Sequence, residues 1–136
     1  MPIEFQIDHA RRTVWVKCVS PVAVTDFFAY QRDVWSRPDV AGYDEFVDAG
    51  GVADITLPSS VGTDFRDLVQ LSAQTDSRAT TAKLAIVAPD DLSFGLARMY
   101  ETYRELNPRS TKLVAVFRSR DEALKWIAAK DDSPPA

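Results

Sequence analysis

The fold is decided by the stretch Ala82-Lys-Leu-Ala-Ile-Val-Ala-Pro-Asp-Asp-Leu-Ser-Phe-Gly-Leu-Ala-Arg-Met-Tyr-Glu-Thr-Tyr-Arg-Glu-Leu106. Leu84 to Ala88 is apolar without alternation, the pattern of a strand covered on both faces. Pro89 has no N–H to give a ladder and ends the strand. Asp90 is placed to cap a helix, and Asp91 suits the positive end of its dipole. Leu92, Leu96, Met99, Tyr103 and Leu106 then recur at helical spacing, which predicts an inner stripe. A strand end facing a helix start is where open α/β sheets carry their sites. The crevice residues to watch are therefore Asp90, Asp91, Phe94, Gly95 and Arg98.

Upstream, Ile3, Phe5 and Ile7 alternate with polar residues, as in an edge strand, and a short connection over Asp8 to Arg11 leads to a second strand from Thr13 to Val19. In that strand Val14, Val16 and Cys18 share a face, and Trp15 demands some cover on the other. Pro21 breaks the strand; Thr25 is an available N-cap for a first helix whose stripe is Val24, Phe27, Phe28, Val34 and Trp35. Pro38 disfavours the helical conformation at Arg37. Asp44 to Ala49 reads as a short third strand. Val52 to Leu57 is read as extended chain, and Pro58-Ser59-Ser60 as the entry to a second helix facing inward through Val61, Phe65, Leu68, Val69 and Ser72. After the central unit, Asn107-Pro108 stops the helix and Leu113 to Phe117 forms the last strand. Ser119 to Glu122 is a capping box opening a final helix on Ala123, Leu124 and Ile127.

The order ββαβαβαβα predicts one mixed five-stranded sheet, because helical crossovers imply parallel neighbours while the first hairpin is antiparallel. A length of 136 residues fits one domain, taken as residues 1–129 with a C-terminal tail over 130–136.

Composition narrows the chemistry. Sixteen basic against 20 acidic residues give a net charge of −4, which argues against nucleic acid as the partner, since phosphate binding needs a concentrated basic face. Cys18 is the single cysteine, so no intrachain disulfide and no thiolate metal site are expected. No apolar run is long enough to cross a membrane. The start Met1-Pro2-Ile3-Glu4 lacks a secretory pattern, and a cytoplasmic location is the expectation.

The order and several stretches carry a resemblance. Asp8-His9-Ala10-Arg11-Arg12-Thr13-Val14-Trp15-Val16, Tyr43-Asp44-Glu45-Phe46-Val47-Asp48, Leu84 to Asp91, Phe94 to Tyr100, and Val116-Phe117-Arg118 with Asp121 to Ile127 resemble the bacterial SpoIIAA-like proteins of STAS/SEC14 type. The resemblance spans almost the whole chain. It implies the STAS fold and a regulatory or protein-interaction role without catalysis; its SEC14-like side implies a carrier of a small apolar ligand or lipid. In the antagonists of that fold an Asp-Ser-Ser motif precedes a helix and a serine there is phosphorylated. The matching residues are Ser59 and Ser60, with Pro58 in the place of the Asp, and they are the candidate phosphosite.

Each candidate also has a plain structural role. Ser59 or Ser60 can be a helix cap. Asp90 and Asp91 are adjacent and do not face each other on a helix, so capping accounts for both. His9 lies in a turn without a local nucleophile, Cys18 suits a core position, and a Cys/His pair across the hairpin is the alternative. Gly95 within a helix costs about 1 kcal/mol against Ala, so close packing on the sheet or a ligand's approach should explain it. Arg98 is spaced to pair with Glu101. The aromatics Phe27, Phe28, Tyr30, Trp35, Tyr100 and Tyr103 exceed one stripe, and the surplus suits a pocket or a subunit contact such as a homodimer. No nucleophile–base–orienter set, metal-ligand set or cofactor motif is recognisable. The expected partner is thus an unidentified protein or a small apolar ligand.

Overall fold

In the computed structural model, residues 3–19, 21–50 and 61–129 are described. They form β1 (Ile3–Asp8), β2 (Thr13–Cys18), α1 (Val24–Val34), a 3-10 turn (Pro38–Val40), β3 (Asp44–Asp48), α2 (Val61–Gln74), β4 (Lys83–Val87), α3 (Asp91–Leu106), β5 (Leu113–Phe117) and α4 (Arg120–Ala128). The expectations for Val52–Leu57, for Pro58, Ser59 and Ser60, and for the tail over 130–136 lie outside the described residues.

The five strands make one mixed sheet in the order β1-β2-β3-β4-β5. β1 runs antiparallel to β2, with Ile3 opposite Cys18 and Asp8 opposite Thr13. The remaining pairs are parallel: Val16 faces Val47 across β2–β3, Val47 faces Ile86 across β3–β4, and Ile86 faces Val116 across β4–β5. Side chains alternate between the faces of a sheet, and this register sorts them cleanly. Val14, Val16 and Cys18, then Glu45 and Val47, Leu84 and Ile86, and Val114 and Val116 share the face under α1, α2 and α3. Phe46, Ala85, Val87, Ala115 and Phe117 form the opposite face, closed by Ala123 and Trp126 of α4. Trp15 finds its cover there beside Phe46, with ring centroids 5.1 Å apart.

β4 is buried at every position, as the apolar run from Leu84 requires, and its single charged group is hydrogen-bonded locally. Lys83 Nζ donates to the carbonyls of Trp126 (3.0 Å) and Ala129 (2.7 Å), capping the C-terminal end of α4, where a cation also meets the negative end of the helix dipole.

Two helices differ in detail from their sequence patterns. α1 starts from Ala23, not Thr25; the Asp26 carboxylate accepts the free Ala23 N–H at 2.8 Å and so caps the helix from inside. In α3 the deepest face lies beside the expected stripe, of which Leu96, Met99 and Tyr103 still pack half-buried against the core. Ser93, Ala97, Tyr100 and Arg104 point inward, whereas Leu92 is 43% and Leu106 74% exposed. The inner face can be polar because Tyr100 and Arg104 find partners on neighbouring elements. The Tyr100 hydroxyl meets Ser72 Oγ at 2.9 Å, and the Arg104 guanidinium grips Asp76 at 2.7 and 3.2 Å. At α4, Ser119 Oγ accepts the Glu122 N–H at 3.4 Å, which is the serine arm of the capping box.

Candidate functional site

The turn after β4 forms as its residues dictate. Asp90 Oδ1 accepts the Ser93 N–H (3.0 Å) and Oδ2 the Ser93 hydroxyl (2.9 Å). These two bonds hold the Asp90 carboxyl below its ordinary range. Asp91 turns instead to Arg118, 3.0 Å away. Arg118 also lies over the Phe94 ring, 4.3 Å from its centroid. The two neighbouring carboxylates therefore serve separate partners and do not converge on a common point. Arg98 pairs with Glu101 at 3.0 Å on the outer side of α3. The strand end is capped and ion-paired, and among the described residues it presents no cluster of His, Cys, Asp and Glu able to hold a metal.

Gly95 is not explained by close packing on the sheet, the first reason expected for it. A Cβ built there meets nothing within 4 Å, so neither close packing on the sheet nor a neighbouring backbone demands a glycine. Gly95→Ala is expected to stabilise the fold by about 0.5–1 kcal/mol, through helix propensity alone, read as a higher urea midpoint. An unchanged or lower midpoint would mean that the position is constrained by something outside the chain.

Just inside this turn lies a half-enclosed cavity of about 90 Å³ under the three helices. α1 contributes Phe27, Tyr30 and Gln31, α2 Phe65 and Leu68, and α3 Ser93, Leu96, Ala97 and Tyr100. The sheet supplies the floor through Val16, Glu45, Val47, Leu84 and Ile86. None of Asp90, Asp91, Phe94, Gly95 and Arg98 lines it; their helical neighbours Ser93, Leu96 and Ala97 do. Phe27, Tyr30 and Tyr100 account for part of the aromatic surplus as cavity wall. For scale, an engineered apolar cavity of about 150 Å³ admits benzene; this one is smaller and suits a short alkyl group or the end of a longer chain.

Among the described residues the carboxylate in the wall is Glu45, which the sequence pattern did not single out. Its Oε2 accepts the Tyr30 hydroxyl (2.6 Å) and its Oε1 accepts Lys112 Nζ (3.1 Å). Trp35 Nε1 in turn donates to the Tyr30 hydroxyl at 2.9 Å, and Lys112 Nζ sits 3.4 Å from the centroid of the Trp35 ring. Burial, reinforced by the Glu45 charge, pushes the Tyr30 hydroxyl well above its usual pKa. Burial lowers that of Lys112, while Glu45 pulls the other way. At ordinary pH the phenol is a neutral donor and the carboxylate is engaged on both oxygens. The signal for Glu45 was available: an acidic residue in register with Val47 falls on a face that a central parallel strand keeps apolar.

Cys18 is a core residue. It is buried beside Val22, Val24 and Phe65, and burial, with Asp48 and Glu45 adding to it, pushes its thiol up to about 12 from 9.0. His9 lies beyond the other end of the hairpin, bonding through Nδ1 to the Tyr43 hydroxyl at 2.7 Å, so the two are not a pair. Between about pH 9 and pH 12 the unfolded thiol is ionised while the folded one keeps its proton. The folded state then binds more protons, and stability falls as pH rises, by up to about 4 kcal/mol at 1.36 kcal/mol per unit. Denaturation of Cys18→Ala across that range should lack this component and fall less steeply; parallel curves for the two chains would contradict it.

A second, wider hollow of about 310 Å³ lies on the other face along β1 and β2, lined by Glu4, Phe5, Trp15, Phe46, Asp48 and Arg120 among others. It is the larger space but an open groove of mixed polarity, with Arg120 lying over the Phe46 ring at 5.1 Å. Ligand sites are concave and mostly apolar with a few aimed polar groups, and the cavity under α1, α2 and α3 meets that description better.

The chain matches no protein-family model, no curated protein and no solved structure. Among the described residues, no helix is long and apolar enough to cross a membrane.

Proposed function

We propose that this protein is a non-enzymatic binding module that holds a small, mainly apolar ligand between α1, α2, α3 and the sheet. The observation that carries the reading is the half-enclosed apolar cavity of about 90 Å³ on that face. An apolar space of this kind loses dispersion contacts along its whole lining, and a ligand that fills it restores them. The resemblance to SpoIIAA-like proteins of STAS/SEC14 type supports the same reading through its SEC14-like side. Against catalysis stands the state of the ionisable groups nearest the cavity. Glu45 is engaged on both oxygens, and Tyr100 is hydrogen-bonded to Ser72 with its pKa raised by burial. Neither is left as a free acid or base.

A second reading is a protein-interaction module switched by phosphate at Ser59 or Ser60. It is supported by the resemblance, in whose antagonists a serine before a helix is phosphorylated; a phosphate at a helix start meets free N–H groups and the positive end of the dipole. Both serines lie outside the described residues.

Intact mass of the protein from its own source, native and then denatured, separates the two. A bound mass that disappears on denaturation is expected for the ligand module and identifies the ligand. A covalent phosphate that survives denaturation and maps to Ser59 or Ser60, on a chain with nothing else bound, would favour the switch instead.

A further inference from the structure

β1 is an outer strand of the sheet and, among the described residues, pairs only with β2. The strand at the opposite edge, β5, has no exposed residue and is packed against both α3 and α4. β1 is exposed along its middle, at Glu4, Phe5 and Gln6. The outward N–H and C=O groups of an edge strand are a template for another strand, and proteins commonly blunt that template with lysine, proline, a bulge or a cover. β1 contains neither lysine nor proline, and its register with β2 runs unbroken from Ile3 to Asp8. Phe5, 41% exposed, is the one aromatic among the exposed large hydrophobic side chains of the described residues.

The order of side chains along β1 decides what fits this edge. When a second copy adds its own β1 about a two-fold axis, the pairing is antiparallel and each residue meets one from the same strand. The axis stands normal to the sheet, so residues of one face meet residues of that same face. Ile3, Phe5 and Ile7 lie opposite Cys18, Val16 and Val14 on the α1 face, while Glu4 and Gln6 lie opposite Lys17 and Trp15 on the other. The registers that keep the faces matched and pair most of the strand are centred on Phe5 or on Gln6. Centred on Gln6, Glu4 faces the partner's Asp8, once on each side of the axis, and like charges directly opposite destabilise a sheet. Centred on Phe5, Ile3 faces the partner's Ile7, Glu4 faces the partner's Gln6, and Phe5 faces the partner's Phe5. No like charges meet, apolar side chains meet each other, and the exposed ring is covered by its own copy. Asp8 falls beyond that pairing, where its carboxylate accepts the Arg11 N–H at 3.0 Å.

We propose that β1 is a homodimer edge: a second copy of this chain adds its own β1, antiparallel and in the register centred on Phe5, and joins the two sheets into one. Backbone hydrogen bonds hold the strands together, and the alternation of side chains fixes the register. The contact does not depend on what the cavity holds.

Sedimentation equilibrium of the full chain over a dilution series, beside Gln6→Lys and Gln6→Glu, tests the contact. Gln6 is exposed, so either side chain fits the folded chain. The native chain should be a dimer that dissociates on dilution. In the register centred on Phe5, Gln6→Lys sets each new lysine opposite the partner's Glu4 and tightens the dimer, whereas Gln6→Glu sets carboxylate against carboxylate and loosens it, each by about two- to thirtyfold for the symmetry-related pairs together. In the register centred on Gln6, Gln6→Lys would bring the lysines of the two copies face to face and loosen the dimer. Amide exchange of the native chain gives an answer that needs no variant: alternate amides of β1 should slow as concentration rises, and those of β5 should not change. A monomer at every concentration up to about 1 mM, a dimer loosened or unmoved by Gln6→Lys, or concentration-dependent protection at β5 in place of β1 would overturn the proposal.

Discussion

Asp76→Ala is expected to lose about 3–5 kcal/mol of stability, the usual cost of stripping one partner from a buried ion pair. The Asp76 and Arg104 side chains are each only 1% exposed, and the carboxylate does more than answer one charge. Besides the two guanidinium bonds it accepts the backbone N–H of Thr111 (2.8 Å) and of Lys112 (3.2 Å). Asp76 thereby ties the loop after α2 to α3 and to the start of β5. Without it, Arg104 keeps Ser110 Oγ at 3.0 Å, but its charge stays buried and two backbone donors lose their acceptor. Arg104→Met should cost less than Asp76→Ala, because the carboxylate retains both amide donors and a linear apolar side chain refills the space. Urea denaturation of the two variants decides the point; an equal or larger loss in Arg104→Met would contradict the account of Asp76 as the hub.

Glu45→Leu should also cost about 3–5 kcal/mol near neutral pH, for the same reason seen from the other side. The Lys112 and Glu45 side chains are 7% and 2% exposed, and removing the carboxylate leaves an ammonium enclosed with only the Trp35 ring beneath it. The pH dependence gives this loss its own signature. Burial already lowers the Lys112 pKa from 10.5, and the Glu45 charge works against that fall. Removing Glu45 lowers it further. Between the folded pKa and 10.5 the unfolded chain binds more protons than the folded one, so stability contributed by this group rises with pH across that window. The deficit of Glu45→Leu against the native chain should therefore shrink between about pH 7 and about pH 9.5. A deficit constant over that range would mean that lost packing, not the buried charge, is responsible.

These two clusters explain what the sequence made legible and what it did not. The turn from β4 to α3 is local chemistry: an unbroken apolar run, a proline, and an aspartate that finds the N–H three residues on. The strand directions followed from the same kind of reasoning, since β1 is joined to β2 by a short connection and every later pair by a helix. The rotation of α3 was not local. While Leu96, Met99 and Tyr103 keep a half-buried place against the core, Leu92 and Leu106 look like part of the inner stripe until Ser72, Asp76 and Ser110 come into contact with Tyr100 and Arg104. Those partners lie on α2 and on the loops after α2 and α3. No periodicity within α3 can report them.

The site was half legible in the same sense. The expected crevice lay at the start of α3, and the cavity is reached one helical face away, through Ser93, Leu96 and Ala97. Gln31 and Glu45 were hidden because each is a polar residue on an apolar face, which pattern reading averages away. Such exceptions to binary patterning concentrate where a protein does something other than pack.

The most direct measurement is methyl NMR of the native chain under xenon, beside Ala97→Leu, which fills the cavity from α3. Saturable shifts confined to the methyls of Val16, Val47, Leu84, Ile86 and Leu96, and abolished in Ala97→Leu, are the expected result. Shifts equally strong at Val87 and Leu124 on the α4 face, or no saturable shift at all, would contradict a ligand cavity under α1, α2 and α3.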